Sequence, residues 1–432
     1  MKYYSTNRQS PETDLQQAVI KGLAADKGLY MPATIPVLSD AFFRGLAGRS
    51  FPEIAYEVAS AFFGDDVDAD TLQFIVGDTL NFDTPVVKVS DLVYALELFH
   101  GPTLAFKDVG ARFMARLLGY FIKKQGLTDV NVLVATSGDT GSAVANGFLG
   151  VPGIHVYVLY PEGKVSPIQE CQFTTLGQNI TALEIDGTFD DCQALVKSAF
   201  MDRELNERMQ LTSANSINVA RFLPQAFYYF HAYAQLQKQN VRNDIVFCVP
   251  SGNFGNLTAG LIAHRMGLPV KRFIAANNTN DVFLQYLLTG RYRPRPSVQT
   301  LANAMDVGDP SNFARILDLY GHNHEAITQC ISGFRCDDDT IRQTVKTCYE
   351  STGYLPDPHG ACGYAALQEN LQPNETGVFL ETAHPAKFKD TIDGIIGKNI
   401  EIPSRLQVFM RGKKQSVRLG KTFNDLKAFL LA

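Results

Sequence analysis

Three short loops of this chain carry residue types that can do chemistry together. Ser251-Gly252-Asn253-Phe254-Gly255-Asn256 stands between an apolar run and the start of a helical pattern. Free backbone N–H groups at such a place, aided by the helix dipole, receive an anion, and glycine lets a phosphate approach the backbone closely. The same letters also make a tight turn that needs glycine for positive φ, and the loop alone does not decide between the two. Thr136-Ser137-Gly138-Asp139-Thr140-Gly141-Ser142 repeats the arrangement upstream. Its hydroxyls and backbone donors suit a carboxylate, while Asp139 is an acceptor that needs a proton or a polarised partner nearby. An ordinary helix N-cap at Ser137 or Asp139 is the plainer reading of these residues. The third loop, His100-Gly101-Pro102-Thr103-Leu104-Ala105-Phe106-Lys107-Asp108, closes the apolar run Val93 to Phe99 and sets a lysine behind an aromatic residue. Partial burial there disfavours the ammonium form and yields an amine able to condense with an aldehyde. A surface charge is the alternative.

The elements that must position these loops follow from periodicity. Strands are predicted at Val130 to Thr136, Ile154 to Tyr160, Ile180 to Ile185, Ile245 to Val249, Arg272 to Ala276 and Val378 to Leu380. Between them lie helical patterns: Ser142 to Phe148, a long charged helix from about Asp190 to Met209, Leu257 to Met266, and one from Ala386 onward. This alternation is the rhythm of βαβ units around a parallel sheet, so the fold class is α/β. Loops at the carboxyl ends of such strands line the ligand crevice, an arrangement that allows the two Ser-Gly loops to face each other across a cleft. The first 85 or so residues are more helical and read as a small separate domain. The last 30 residues, from Pro403, hold Arg405, Arg411, Lys413, Lys414, Arg418 and Lys421 and read as a solvated surface segment.

Composition narrows the function classes. A chain of 432 residues needs two or three cores, and its 45% hydrophobic and 19% charged residues are those of an ordinary globular protein. A net charge of -5 supplies no basic field for nucleic acid or anionic lipid. Seven cysteines form no C-x-x-C pair, which argues against a disulfide framework or thiolate zinc, and the close pair His322 and His324 reads as a loop, so no metal is assigned. No signal-peptide pattern opens the chain, and no run of ~18 apolar residues follows; a cytoplasmic location is the expectation. G-x-G-x-x-G and G-x-x-x-x-G-K-[ST] are both absent, which removes the best support for a dinucleotide or P-loop site.

Taken together, the loops around Lys107, Asp139 and Gly252, with Thr382-Ala383-His384-Pro385-Ala386-Lys387-Phe388, closely resemble the threonine synthases in order and spacing. Gly22 to Pro32, Ser213 to Asn218 and Asn303-Ala304-Met305-Asp306-Val307 add to the likeness, which covers the chain to about residue 400. The single motifs are shared with other pyridoxal-phosphate (PLP) enzymes of the tryptophan synthase β-like fold, and the N-terminal and Asn303 to Val307 segments favour threonine synthase.

The resemblance implies a fold type II architecture of two α/β domains around a PLP cleft. An N-terminal domain would span 1–85, a large PLP-binding domain 86–107 and 215–402, a smaller mobile domain 108–214, and a tail 403–432. It implies that Lys107 is the Schiff-base lysine, that Gly252, Asn253, Phe254, Gly255 and Asn256 cradle the cofactor phosphate, and that Thr382 faces the pyridine nitrogen. Thr136, Ser137 and Thr140 would hold the substrate carboxylate, with Asp139, where many relatives have Asn, near the phenolic oxygen. The implied reaction turns O-phospho-L-homoserine and water into threonine and phosphate. The substrate phosphate needs cations, for which Arg112 and Arg221 are the candidates ahead of Lys387 and Lys389. Two rivals stand beside this reading: a serine or threonine dehydratase of the same fold, and a noncatalytic phosphate- or PLP-binding regulator.

Overall fold

The computed structural model describes residues 1–432. Its strands are β1 (Lys2–Ser5), β2 (Thr13–Asp14), β3 (Tyr30–Pro32), β4 (Val86–Lys88), β5 (Val93–Glu97), β6 (Val130–Ala135), β7 (Ile154–Pro161), β8 (Ile180–Ile185), β9 (Gln210–Ser213), β10 (Asp244–Pro250), β11 (Arg272–Asn277), β12 (Ile331–Arg335), β13 (Glu375–Glu381) and β14 (Val417–Leu419). They form three sheets: β2-β1-β3, β12-β11-β10-β13-β5-β4 and β14-β8-β7-β6-β9. The five-stranded sheet is parallel throughout, and the six-stranded one is parallel except at its edge, where β4 runs against β5.

Parallel strands need crossovers, and the mainly apolar residues of β6 and β10 fit sheets covered on both faces. Every residue of β6 and β13 is buried. All six predicted strands are present within a residue or two, apart from β13, which begins three residues earlier than the run Val378 to Leu380. The helix Asp139–Phe148 starts three residues ahead of its apolar pattern, and Gly255–Arg265 starts two ahead.

Three expectations differ from the structure. The long charged helix is two, Phe189–Met201 and Arg203–Arg208, because Asp202 leaves helical geometry and caps the second by accepting from Leu205 N–H. The first 85 residues include a three-stranded antiparallel sheet that their helical patterns masked. The tail is no free solvated segment: β14 pairs with β8, and Leu426 and Leu430 of the last helix are buried against Leu195, Val196 and Leu205. Its basic residues meet the chain's own carboxylates, Lys414 at Glu170 and Glu184 and Arg418 at Glu162. The basic charge of Lys414 and Arg418 reflects docking onto an acidic neighbour in the same chain.

Candidate active site

Lys107 opens the helix Lys107–Gln125, right after the bridge that pairs Ala105 with Ala383 beyond the end of β13. Leu104 takes positive φ (56°) to make that sharp entry, and His384 N–H closes it by donating to Leu104 O. The lysine side chain lines a cavity, with its ammonium 5.4 Å from the Phe106 ring centroid. Burial lowers its pKa to about 8; the Asp139 charge opposes that shift, and Lys387 and Arg221 reinforce it. The amine is therefore far easier to deprotonate near neutral pH than an ordinary lysine.

Gly252, Asn253, Phe254, Gly255 and Asn256 line the same cavity. Phe254 sits in the left-handed region (φ 61°), an uncommon conformation for a bulky residue, with its ring 4.6 Å from that of Phe283. None of the backbone N–H groups from 252 to 256 finds an acceptor in the protein. Free donors at the start of the helix Gly255–Arg265 make an anion cradle. A Cβ on Gly252 would lie 2.6 Å from Ala304 O, so the loop has room for no side chain there.

The loop after β6 supplies the facing wall. Ser137 and Thr140 line the cavity, and their N–H groups likewise have no protein acceptor. Gly138, at φ 141°, is required twice over, since a Cβ there would meet the Gln169 amide at 2.6 Å. Thr136 plays a different part from the one expected: its fully buried hydroxyl accepts from Gly138 N–H and Gly141 N–H and shapes the loop from behind. Asp139 turns its carboxylate away from the cavity to Lys387 Nζ, 2.6 Å distant, and to Gln169 Nε2, 2.9 Å. Burial alone would raise its pKa, but the charges of Lys387 and Lys107 hold it well below the ordinary carboxylate range.

The two candidate arginines separate. Arg221 is buried on the cavity wall; Nε donates to Ala214 O and one Nη to Lys107 O, and its other N–H groups bond nothing in the protein. Burial lowers its pKa to about 10, and it stays charged. Arg112 does not reach the cavity: its guanidinium donates to Thr79 O and Asp78 O, anchoring the end of the helix Ala69–Thr79. It lies one turn along its helix from Asp108, on a face turned toward the N-terminal helices. Lys389 is spent on Asp393 and Ile400 O.

Thr382 follows β13 and lines the cavity with its hydroxyl free of protein partners. Behind it stands a hub that the sequence reading passed over. Asp357 accepts from Ala383 N–H and from His359 Nδ1, while His359 Nε2 accepts from Ala304 N–H. This fixes the strand end that carries Thr382 against the Asn303 to Val307 segment. Glu381, wholly buried beside Asp357, has its pKa pushed well up by burial and by that neighbouring charge, and Gly360 leaves the space its carboxyl fills. The only signal in the sequence was Asp357-Pro358-His359-Gly360 at a helix start. Asn215 and Ser216, from the Ser213 to Asn218 segment of the family likeness, also line the cavity.

A condensing amine, an anion cradle and a free hydroxyl thus meet at one cavity, a donor set that fits a phosphorylated aldehyde cofactor. Residues 78–382 match the family described as pyridoxal-phosphate dependent enzyme, residues 2–80 match threonine synthase N terminus, and residues 360–430 match threonine synthase, C-terminal. The chain belongs to the threonine synthase family. It is 46% identical over 406 residues to the threonine synthase of Escherichia coli K12, covering 94% of each chain. It is 45% identical over 431 residues to that of Haemophilus influenzae, covering 100% of both. The crystal structure of Escherichia coli threonine synthase superposes with a TM-score of 0.94 at 43% identity, covering 100% of this chain and 99% of that one. A structure of PLP-bound threonine synthase from Brucella melitensis superposes at 0.91 with 35% identity, covering 100% and 98%. As a threonine synthase family member the chain is a PLP-dependent lyase with an amino acid as substrate. No helix is long and apolar enough to cross a membrane.

Proposed function

We propose that the chain converts O-phospho-L-homoserine and water to L-threonine and phosphate, with Lys107 as both cofactor anchor and proton carrier. The reading is carried by one observation: three separate anion-receiving groups surround the Lys107 amine on a single cavity. They are the N–H groups of 252–256, those of Ser137 and Thr140, and the guanidinium of Arg221. A cofactor phosphate, a substrate carboxylate and a substrate phosphate account for all three. A dehydratase substrate, with a carboxylate alone, leaves Arg221 buried without an anion, which is costly.

When bound, PLP supplies the electron sink for carbanion chemistry at the substrate carbons. Gly252 to Asn256 would hold its phosphate, and the Thr382 hydroxyl would offer its ring a neutral partner. Ser137 and Thr140 orient the substrate carboxylate, which sets Cα toward Lys107. With a pKa near 8, the Lys107 amine takes the Cα proton as a base and returns it as an ammonium within the same pH range. Arg221 holds the substrate phosphate and stabilises its charge as it leaves Cγ. The Asp139 carboxylate, fixed by Lys387 and Gln169, keeps a negative charge that is felt at the amine.

We assign residues 108–214 as the smaller, mobile part, closing on 86–107 and 215–402 over substrate, with 1–85 as the N-terminal domain; an unchanged angle between free and substrate-bound forms would argue against closure. The chemistry is tested by measuring threonine and phosphate release from O-phospho-L-homoserine with PLP, beside Lys107→Ala. Equal yields that vanish in the variant support the proposal. Phosphate without threonine points to a different elimination, and turnover of serine or threonine but not of the phosphoester points to a dehydratase.

A further inference from the structure

Arg315 has no solvent exposure and no carboxylate partner. Its guanidinium donates to Ser216 O (2.7 Å), Ile217 O (2.6 Å), Tyr30 O (3.1 Å) and Asn312 Oδ1 (2.5 Å), and its Cζ lies 4.0 Å from the Phe222 ring centroid. Carbonyl dipoles solvate the cation, yet its net charge stays unmatched in a region where charges are weakly screened. A buried cation held this way calls for an anion nearby.

The nearest anion-receiving group is one hydrogen-bonded residue away. Asn312 Nδ2 donates to Asn253 O and to Ser216 Oγ, each at 2.9 Å, and Asn253 Nδ2 donates to the same Ser216 Oγ at 3.1 Å. Ser311 N–H donates to Asn253 Oδ1 at 2.6 Å. The loop that carries five unpaired N–H groups is therefore clamped to the residues on which Arg315 is anchored. Ser216 also fixes how close the loop may come, since a Cβ on Gly255 would meet Ser216 Cβ at 2.9 Å.

We infer that Arg315 is a positioning residue for the cofactor phosphate: it clamps the Gly252 to Asn256 loop through Asn312 and Ser216, and the phosphate in that loop is its counter-charge. A carboxylate partner would neutralise the guanidinium in the cofactor-free protein and repel the incoming dianion, which explains why carbonyls alone surround it. Through Tyr30 O the same guanidinium ties β3, in the first 80 residues, to cofactor affinity. The inference rests on the cofactor of the family and holds whatever the substrate is.

The test compares binding of PLP with binding of pyridoxal, which lacks the phosphate, by the cofactor-free protein and its Arg315→Met variant. The expected result is PLP binding weakened about tenfold or more, as for loss of a charge-assisted partner, with pyridoxal binding unchanged and with less thermal stabilisation by inorganic phosphate. Equal losses for PLP and pyridoxal would reduce Arg315 to a packing role and overturn the inference, as would unchanged PLP binding. Should Arg315→Met fail to fold, Asn312→Asp places a carboxylate beside the guanidinium. It also removes the Nδ2 donor that holds Asn253 O and Ser216 Oγ, so PLP is expected to bind about tenfold more weakly or worse and pyridoxal as in the wild type; wild-type PLP affinity in that variant would sink the idea.

Discussion

Lys387 Nζ stands 2.6 Å from Asp139 Oδ1, and the pair joins the turn after β13 to the first residue of a helix that follows β6. Each side chain is almost wholly buried, so the ion pair crosses between the two parallel sheets away from water. Lys387 also donates to Thr103 O, four residues before Lys107, and its own carbonyl accepts from Ser166 Oγ. The pair therefore links the residues around the amine to the smaller sheet.

Removing one partner leaves the other charge buried and unpaired. Lys387→Met is expected to cost about 3–5 kcal/mol in urea unfolding at pH 7, and Lys387→Met with Asp139→Asn to recover most of it. A double variant as unstable as the single one would mean that Lys387 contributes by packing. Because Asp139 has a depressed pKa in the fold, its contribution is present above the unfolded carboxylate range and is lost on acidification.

The amine of Lys107 should titrate near 8 in the cofactor-free protein, read as the pH dependence of its condensation with pyridoxal. Asp139→Asn removes the charge that raises this pKa, so the midpoint moves down. A midpoint that moves up would show that the Asp139 charge is not felt at the amine. Since the folded pKa lies below the unfolded value of 10.5, the unfolded chain binds more protons between pH 8 and 10.5, and Lys107 makes stability rise with pH across that window.

His384, two residues past Thr382, has its pKa lowered from 6.5 to about 4, chiefly by burial and then by the His100 charge. It is neutral in the fold and protonated in the unfolded chain between those values. Its share of stability, on the order of 2–3 kcal/mol, is present above pH 6.5 and lost as pH falls toward 4. His384→Asn should flatten the difference in unfolding free energy between pH 4.5 and pH 7; a slope equal to wild type would place the titration elsewhere.

The two arginines give opposite signatures. Arg221→Met is expected to raise KM for O-phospho-L-homoserine about 10–100-fold, the worth of a charge-assisted hydrogen bond to phosphate. Arg112→Met should leave KM alone and cost about 1–2 kcal/mol of stability, because it strands the Asp78 and Thr79 carbonyls. An unchanged KM in Arg221→Met would remove it from the substrate site.

What the sequence disclosed follows the range of its interactions. Both Ser-Gly loops were legible because strand, glycine and helix are adjacent in the chain, and they do flank one cavity. Phe106 alone leaves Lys107 open between a buried amine and a surface charge, and the family resemblance is what singles it out. Arg112 misled because periodicity gives a residue's spacing along a helix and not which face meets the cavity. Lys387 was noted only as a phosphate candidate, since its partner Asp139 lies 248 positions away and only tertiary structure brings them together. The Arg315 clamp and the Asp357 hub were invisible for the same reason. β14 was hidden because Val417, Arg418 and Leu419 are too few and too little buried to carry a pattern.

The strand order also governs how the polypeptide can be assembled as it is made. β5 lies between β4 and β13, whose residues are 375–381, and the smaller sheet gains its edge only with 417–419. Synthesis proceeds from the N-terminus, so neither sheet has all its neighbours until almost the whole chain has left the ribosome. A product cut short before residue 375 exposes the open flanks of β5 and β10, and one cut short before 417 leaves β8 as a bare edge, the kind of surface on which other chains aggregate.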